Sequence, residues 1–167
     1  MNEAELKAIF HEHKDAVYGF AWRMSGDPAL AEDVAQEAFL ELIRSPESWR
    51  PERGSLRGFL LGIARHRLAR RWREAHRWDA LDEQLFVAAP LDPAAAQRRD
   101  RVGVAVQSLP PLQREALVLF EFEGLTLEEI ARATGAETGA IKARLQRARE
   151  NLRRLLAPLM EGESNAR

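Results

Sequence analysis

Apolar residues recur every three or four positions along most of the chain. No five-residue run alternates in β-branched residues, so the pattern predicts helices throughout and needs no strands. The first helix carries Leu6, Ile9, Phe10, Val17, Phe20 and Ala21 and ends near Gly26. A second opens with Asp27 as N-cap and Pro28 in the first helical position, where proline's missing N–H removes no bond. It runs through Leu30, Val34, Ala38 and Leu42 until Pro46 stops it. Pro51 and Gly54 mark residues 49–54 as a loop. Ser55 then caps a third helix carrying Leu56, Phe59, Leu60, Ile63, Leu68 and Trp72, which ends in arginines. Trp72 reads as packing rather than as a platform for a base, because tryptophan is mostly buried.

Periodicity fades between 75 and 100, where alanines, two prolines and scattered acids accumulate. This stretch reads as a linker between two helical domains. Apolar spacing resumes with Val102, Val104, Ala105, Val106 and Leu109, breaks at Pro110-Pro111, and continues through Leu112, Ala116, Leu119 and Phe120 to Gly124. Two helices follow. The first has a capping box, Thr126 with Glu129 three positions on, buries Leu127, Ile130 and Ala131, and ends at Gly135. The second carries Ile141, Leu145, Ala148, Leu152, Leu155 and Leu156 on one stripe. A short helix, a glycine turn and a longer basic helix make a helix-turn-helix, the second helix of which suits a DNA major groove. The predicted fold class is therefore all-α: two small helical domains joined by a linker, the C-terminal one containing the helix-turn-helix.

Composition bounds this picture. At 167 residues the chain holds one compact domain or two small ones, and 46% hydrophobic residues supply a core. The absence of cysteine removes disulfides, zinc ribbons and thiol nucleophiles together. An acidic N-terminus and no apolar run of bilayer length predict a soluble cytoplasmic protein without a membrane span. A net charge of -1 argues at first against nucleic acid, but it is a cancellation. Residues 1–41 hold three cations against nine acids, whereas 65–77 hold six arginines against one acid and 138–154 hold six Lys or Arg against one acid.

The last helix can be resolved by face. With Ile141 at zero and about 100 degrees per residue, the apolar stripe stays on one side while Ala140, Ala143, Gln146, Arg147, Glu150 and Arg154 face the other. Lys142, Arg144, Arg149 and Arg153 flank them. Flanking cations suit phosphates, small outward alanines let a backbone approach the groove, and Gln146 and Arg147 are side chains that read base edges.

Four segments in order carry a family resemblance. Residues 26–39, GDPALAEDVAQEAF, resemble a polymerase-binding helix; 51–65, PERGSLRGFLLGIAR, resemble a promoter-melting segment. Residues 109–118, LPPLQREALV, followed by 123–131, EGLTLEEIA, and 141–149, IKARLQRAR, resemble an upstream-promoter reader. Over about 6–156 the chain resembles the small two-domain extracytoplasmic-function (ECF) group of bacterial RNA polymerase sigma factors.

The resemblance implies a dissociable subunit that binds core RNA polymerase, directs it to promoter DNA with two elements and helps open the duplex. It further implies an anti-sigma factor as a partner. The domains so implied are 1–74 for polymerase binding and downstream-promoter melting, 75–100 as linker, 101–160 for the upstream element and 161–167 as tail. On the second helix Asp33, Gln36, Glu37 and Leu40 form the polymerase face, an outward leucine ringed by polar groups being what an interface needs at its centre. Downstream-promoter DNA falls to Arg53, Arg57, Arg65, His66, Arg70 and Arg71, since a captured single strand needs cations for its phosphates and a pocket or a flat ring for its bases. Family members usually carry Asn at position 66, so the histidine puts base preference in doubt. Upstream-promoter DNA falls to Ala140, Lys142, Ala143, Arg144, Gln146, Arg147 and Arg149. Glu137 stands where the family usually has a capping serine, leaving Thr134 or Thr138 as substitute caps.

Other chemistry has little support. His11 and His13 point to different sides of a helix with no third ligand nearby, and there is no glycine-rich phosphate loop and no G-x-S-x-G. No metal, no cofactor and no enzymatic activity are expected. Two other readings stay open: a helix-turn-helix regulator that works without polymerase, and a sigma-like decoy that titrates an anti-sigma factor.

Overall fold

The computed structural model describes residues 1–74 and 101–165, with side chains through residue 158. Among the described residues there are seven α-helices and no strand. They are α1 Glu3–Ser25, α2 Pro28–Arg44, α3 Leu56–Glu74, α4 Arg101–Gln107, α5 Pro111–Leu117, α6 Leu127–Thr134 and α7 Thr138–Asn165. The expected linker, 75–100, lies outside the described residues. Residues 161–165 of the expected tail continue α7.

Local chemistry sets the helix ends. Asn2 caps α1 in a reciprocal box with Glu5, and Gly26 closes it in the left-handed region at φ 67°. The Asp27 carboxylate accepts from the N–H groups of Ala29 and Leu30, and Pro28 follows it as the pattern predicts. Ser55 caps α3, its hydroxyl oxygen accepting from Gly58 N at 3.0 Å. Residues 46–48, ahead of the expected loop, and 51–53 within it form single tight turns, and Trp49 donates its indole N–H to Gly54 O across the second.

The stretch from Pro111 to Gly124 is less regular than a single helix. After Leu117 the coil widens over Val118–Phe122, with Glu123 N bonding to Val118 O at 3.0 Å. Gly124, at φ 69°, then lets Leu125 N reach back to Leu119 O.

The expected apolar stripes are mostly buried, with three corrections. Phe10 is 46% exposed and lies edge-on to Phe39 at 5.1 Å, while Val102 and Val104 lie on the outer side of α4. Short α4 turns only Ala105 and Val106 inward, because seven residues make barely two turns and have one inner face. Trp72 is buried.

The two helical regions that the pattern predicts are both present, and one continuous core runs through them, from Phe20, Val34 and Leu60 to Leu109, Leu119, Ile130 and Ile141. Helix α6 packs along α3, and α4 and α5 pack on α1. Arg114 ties the ends together: its guanidinium donates to Met24 O at the end of α1 and to Leu109 O, lies over the Trp72 ring, and is pushed by burial to a pKa of about 10.

His13 is the buried titratable group of α1, and burial lowers its pKa below 6.5, with Glu12 opposing and Arg57 reinforcing the shift. A depressed folded-state value means that the unfolded chain binds the proton first, so the contribution of neutral His13 is full above pH 6.5 and is lost as the pH falls below it. Thermal melts at pH 7.5 and 5.5, a window of about one unit either side of the unfolded histidine value, should show a loss of stability on acidification that is smaller in His13→Leu.

Candidate nucleic-acid and polymerase interfaces

On α2 the exposed face holds Asp33, Gln36 and Leu40, and Ile43 one turn further on is 49% exposed beside them. Ile43 was not legible as a site residue, although its spacing of three from Leu40 places it on the same face. Glu37 does not stand free with these residues. It is half-buried and bonds to Arg71 of α3, with Arg67 at 3.9 Å, and Arg67 also donates to Glu41 at 3.1 Å. A residue expected to meet polymerase and one expected to meet DNA are thus each other's partners.

Helix α3 carries five of the six residues expected to hold a melted strand. Arg53 in the preceding turn, His66 and Arg70 are exposed, Arg70 lying 3.6 Å from Glu74. Arg57 and Arg65 instead turn toward the C-terminal half. Arg57 donates to Glu123 at 2.9 Å, with Arg23 on the same carboxylate at 3.5 Å. Arg65 meets both oxygens of Glu115 at 3.1 and 3.2 Å, a pair in which the Glu115 side chain is 2% exposed. Burial pushes the Glu115 and Glu123 carboxyls up, and the facing arginines hold them back. Partial desolvation of its ring, with the cations Arg65 and Arg73, lowers the His66 pKa below its ordinary value and so favours the neutral ring, whose nitrogens can both donate and accept.

Beside these residues lies a cavity of about 440 Å³. Trp49, Phe59 and Ile63 line its apolar part, Arg50 and His66 its polar part, and Arg132 of α6 reaches it from the other half.

In the C-terminal half, α6 and α7 meet at a turn opened by Gly135 at φ 76°. The Thr126–Glu129 capping box is present in both directions. Thr134 does not cap α7: its hydroxyl donates to Ile130 O and accepts from Ala136 N, which tightens the turn, and Glu137 O accepts from Ile141 N to begin the helix. Ile141, Leu145, Ala148 and Leu155 are buried. Ala140, Lys142, Ala143, Gln146, Arg147 and Arg149 are exposed, while Arg144 is half-buried. Arg149 pairs with Glu121 at 2.8 Å, and Gln146 donates weakly to Glu150 at 3.4 Å.

The signals missed in the sequence lie on the seam between the halves. Gly54, Gly58 and Gly62 are spaced by four and meet α6 directly. A Cβ on Gly58 would come within 2.7 Å of Glu129 Oε2, and one on Gly62 within 3.5 Å of Ala133 Cβ. Glu129 also accepts from the Ser55 hydroxyl, so one carboxylate serves the caps of α3 and α6 together. Burial pushes its carboxyl up, but the hydrogen bonds from Ser55 and Thr126 outweigh this and hold it below the ordinary value. Among the described residues no group of three or more acidic or histidine side chains gathers as a metal site, and no helix is long and apolar enough to cross a membrane.

These features define a helical protein that joins a cavity lined by aromatic and cationic side chains beside α3 to a helix-turn-helix made by α6 and α7. Residues 9–78 match the sigma-70 region 2 family model and residues 99–152 the sigma-70 region 4 model. The chain belongs to the ECF group of RNA polymerase sigma factors, a family of promoter-directing subunits rather than enzymes. It is 36% identical over 158 residues to the ECF sigma factor SigE of Mycolicibacterium smegmatis, covering 89% of this chain and 60% of that protein. It is 35% identical over 155 residues to the sigma factor CarQ of Myxococcus xanthus, covering 90% and 88%. Among solved structures it resembles the sigma factor RpoE of Bartonella quintana in complex with the anti-sigma factor NepR, at 26% identity and a TM-score of 0.72, with 92% and 97% of the two chains aligned. The fold also matches CnrH bound to the cytosolic domain of CnrY, with a TM-score of 0.70 at 23% identity over 94% and 90% of the chains.

Removing the Glu115 carboxylate breaks a largely enclosed ion pair with Arg65. Glu115→Ala should lower the unfolding free energy by about 3 kcal/mol, read from urea denaturation.

Proposed function

We propose that this chain binds core RNA polymerase through the exposed face of α2, captures the melted downstream element on α3 and reads the upstream element with α7. The observation that carries the reading is the pairing, in one chain, of an aromatic- and arginine-lined cavity beside α3 with an outward cationic helix-turn-helix face. A flipped base needs a slot and its phosphates need cations, and Trp49, Phe59, His66, Arg50 and Arg53 provide both. Lys142 and Arg147 flank Ala140, Ala143 and Gln146, as a groove-reading helix requires. Within 1–74 the polymerase face and the capture face lie on adjacent helices, and 101–160 carries the upstream reader. The protein itself makes or breaks no covalent bond and needs no cofactor. It works in the cytoplasm, where polymerase and chromosome are.

The same surfaces support an anti-sigma factor as a second macromolecular partner, the role NepR has in the complex with RpoE. A regulator acting without polymerase fits less well, because Arg57 and Arg65 are already engaged by carboxylates in the lone chain.

Run-off transcription with reconstituted core polymerase over a genomic fragment library should yield promoter-dependent transcripts only when the chain is added, and none at all would overturn the assignment. Leu40→Asp should weaken association with core by at least about tenfold, or about 1.4 kcal/mol, without moving the thermal midpoint of the free chain.

A further inference from the structure

Along α3 the arginines are paired: Arg57, Arg65, Arg67 and Arg71 each have a carboxylate partner. Around the cavity beside α3 the pattern reverses. Among the described residues Arg50, Arg53 and Arg132, all exposed, meet no carboxylate at ion-pair distance. Glu129 lines the same space, but its oxygens accept from the Ser55 hydroxyl and from Thr126 N. Three arginines against one glutamate leave the lining with two positive charges in excess. Arg132 reaches the cavity because position 54 is bare: a Cβ on Gly54 would come within 3.3 Å of its Nη1.

The apolar lining is equally specific. Trp49 is pinned by its indole N–H on Gly54 O at 3.3 Å, and Phe59 and Ile63 lie on α3 beside glycines that bring no side chain into the space. Aromatic rings hold any base by stacking, and guanidinium groups pair with phosphate oxygens. A volume of about 440 Å³ falls among small-molecule sites, which run from roughly 300 to 1,000 Å³. Ionised Glu129 only accepts, whereas the neutral His66 ring donates and accepts, which matches the mixture of N–H donors and ring nitrogens on a purine edge. Arg132 and Ala133 of α6 wall one side. A base within a strand brings a backbone that must leave the cavity in two directions, but a free nucleotide carries its phosphates on one side only.

We propose that the cavity between α3 and α6 binds a free purine nucleoside di- or triphosphate, the base against Trp49 and Phe59 and the phosphates on Arg50, Arg53 and Arg132, so that the free chain responds to nucleotide supply. Residues of both halves hold this ligand, and its binding therefore adds to their mutual attraction. Such a ligand needs only the cavity and its cations, and stands apart from the capture of a strand by α3.

Isothermal titration of the full free chain with GDP, ADP and inorganic pyrophosphate, at low salt and without magnesium, tests this. At least one of the two nucleotides should bind one to one and at least about tenfold more tightly than pyrophosphate. No binding, or nucleotides that bind no better than pyrophosphate, would overturn the site, the second result reporting only anions on surface arginines. Arg132→Ala changes an exposed α6 residue outside those assigned to promoter DNA. It should weaken the nucleotide by at least about tenfold, and an unchanged affinity would overturn the site. The thermal midpoint of the unliganded variant should match that of the parent chain, which separates lost binding from lost folding. Run-off transcription by the holoenzyme reads α3 independently. Nucleotide binding without promoter-dependent transcripts would overturn the capture reading and leave this site standing, and transcripts without nucleotide binding would strike this site alone.

Discussion

The structure depends on three glutamates set against α3, of which Glu115 and Glu123 are buried and Glu129 half-buried. A carboxylate as enclosed as Glu115 survives in a protein interior only with a cation placed against it, and Arg65 fixes both the register of α3 on α5 and the depth to which α5 sinks. Glu123 does the same for Arg57 and Arg23, while Glu129 links the start of α3 to the start of α6. These are specific but costly contacts, because charges taken from water recover through pairing only part of what desolvation removes. A seam built this way is strongly directional, holding one alignment of the halves well and others poorly. The apolar core beneath it, from Leu60 to Ile130, supplies the non-directional attraction.

Much of the helical frame was legible because its punctuation is chemical. Asp27-Pro28, Gly26, the Thr126–Glu129 box and Gly135 each mark a boundary by a mechanism that works locally, and the structure places each at the expected end. The same holds for the outward face of α7, since one helical wheel fixes which residues face away from Ile141 and Leu145. The closure of the two halves was not legible. Glycines spaced by four lower helix propensity and read as weak points until the opposing helix is known, and Glu115 and Glu123 are of a type that is usually solvated. Arg57, Arg65 and Arg71 therefore read as free cations for DNA, whereas each has a carboxylate partner. The cap of α7 also eluded the sequence, as Thr134 spends its hydroxyl on its own helix and on Ala136.

The ECF assignment and the geometry meet in the arrangement of α2 against α3. One helix carries exposed Asp33, Gln36, Leu40 and Ile43, and the other carries exposed Arg70 and, lining the cavity, His66. Both helices share the core of Val34, Ala38, Leu61 and Leu68, which fixes the distance between the two surfaces without a hinge. Under the proposed function, a strand on one would be held at a set position relative to whatever docks on the other.

The ladder between those helices carries a further consequence. Arg71 is shared with Glu37 and Asp33, and Arg67 with Glu37 and Glu41, so the acidic surface of α2 and the basic surface of α3 are a single charge network seen from two sides. A ligand that draws a glutamate away from one side leaves an arginine on the other with more field to offer an incoming anion. By reciprocity, an anion that engages the arginine first leaves the acids more available. The two charged faces are in that sense thermodynamically one, and neither can be recharged by substitution without retuning the other.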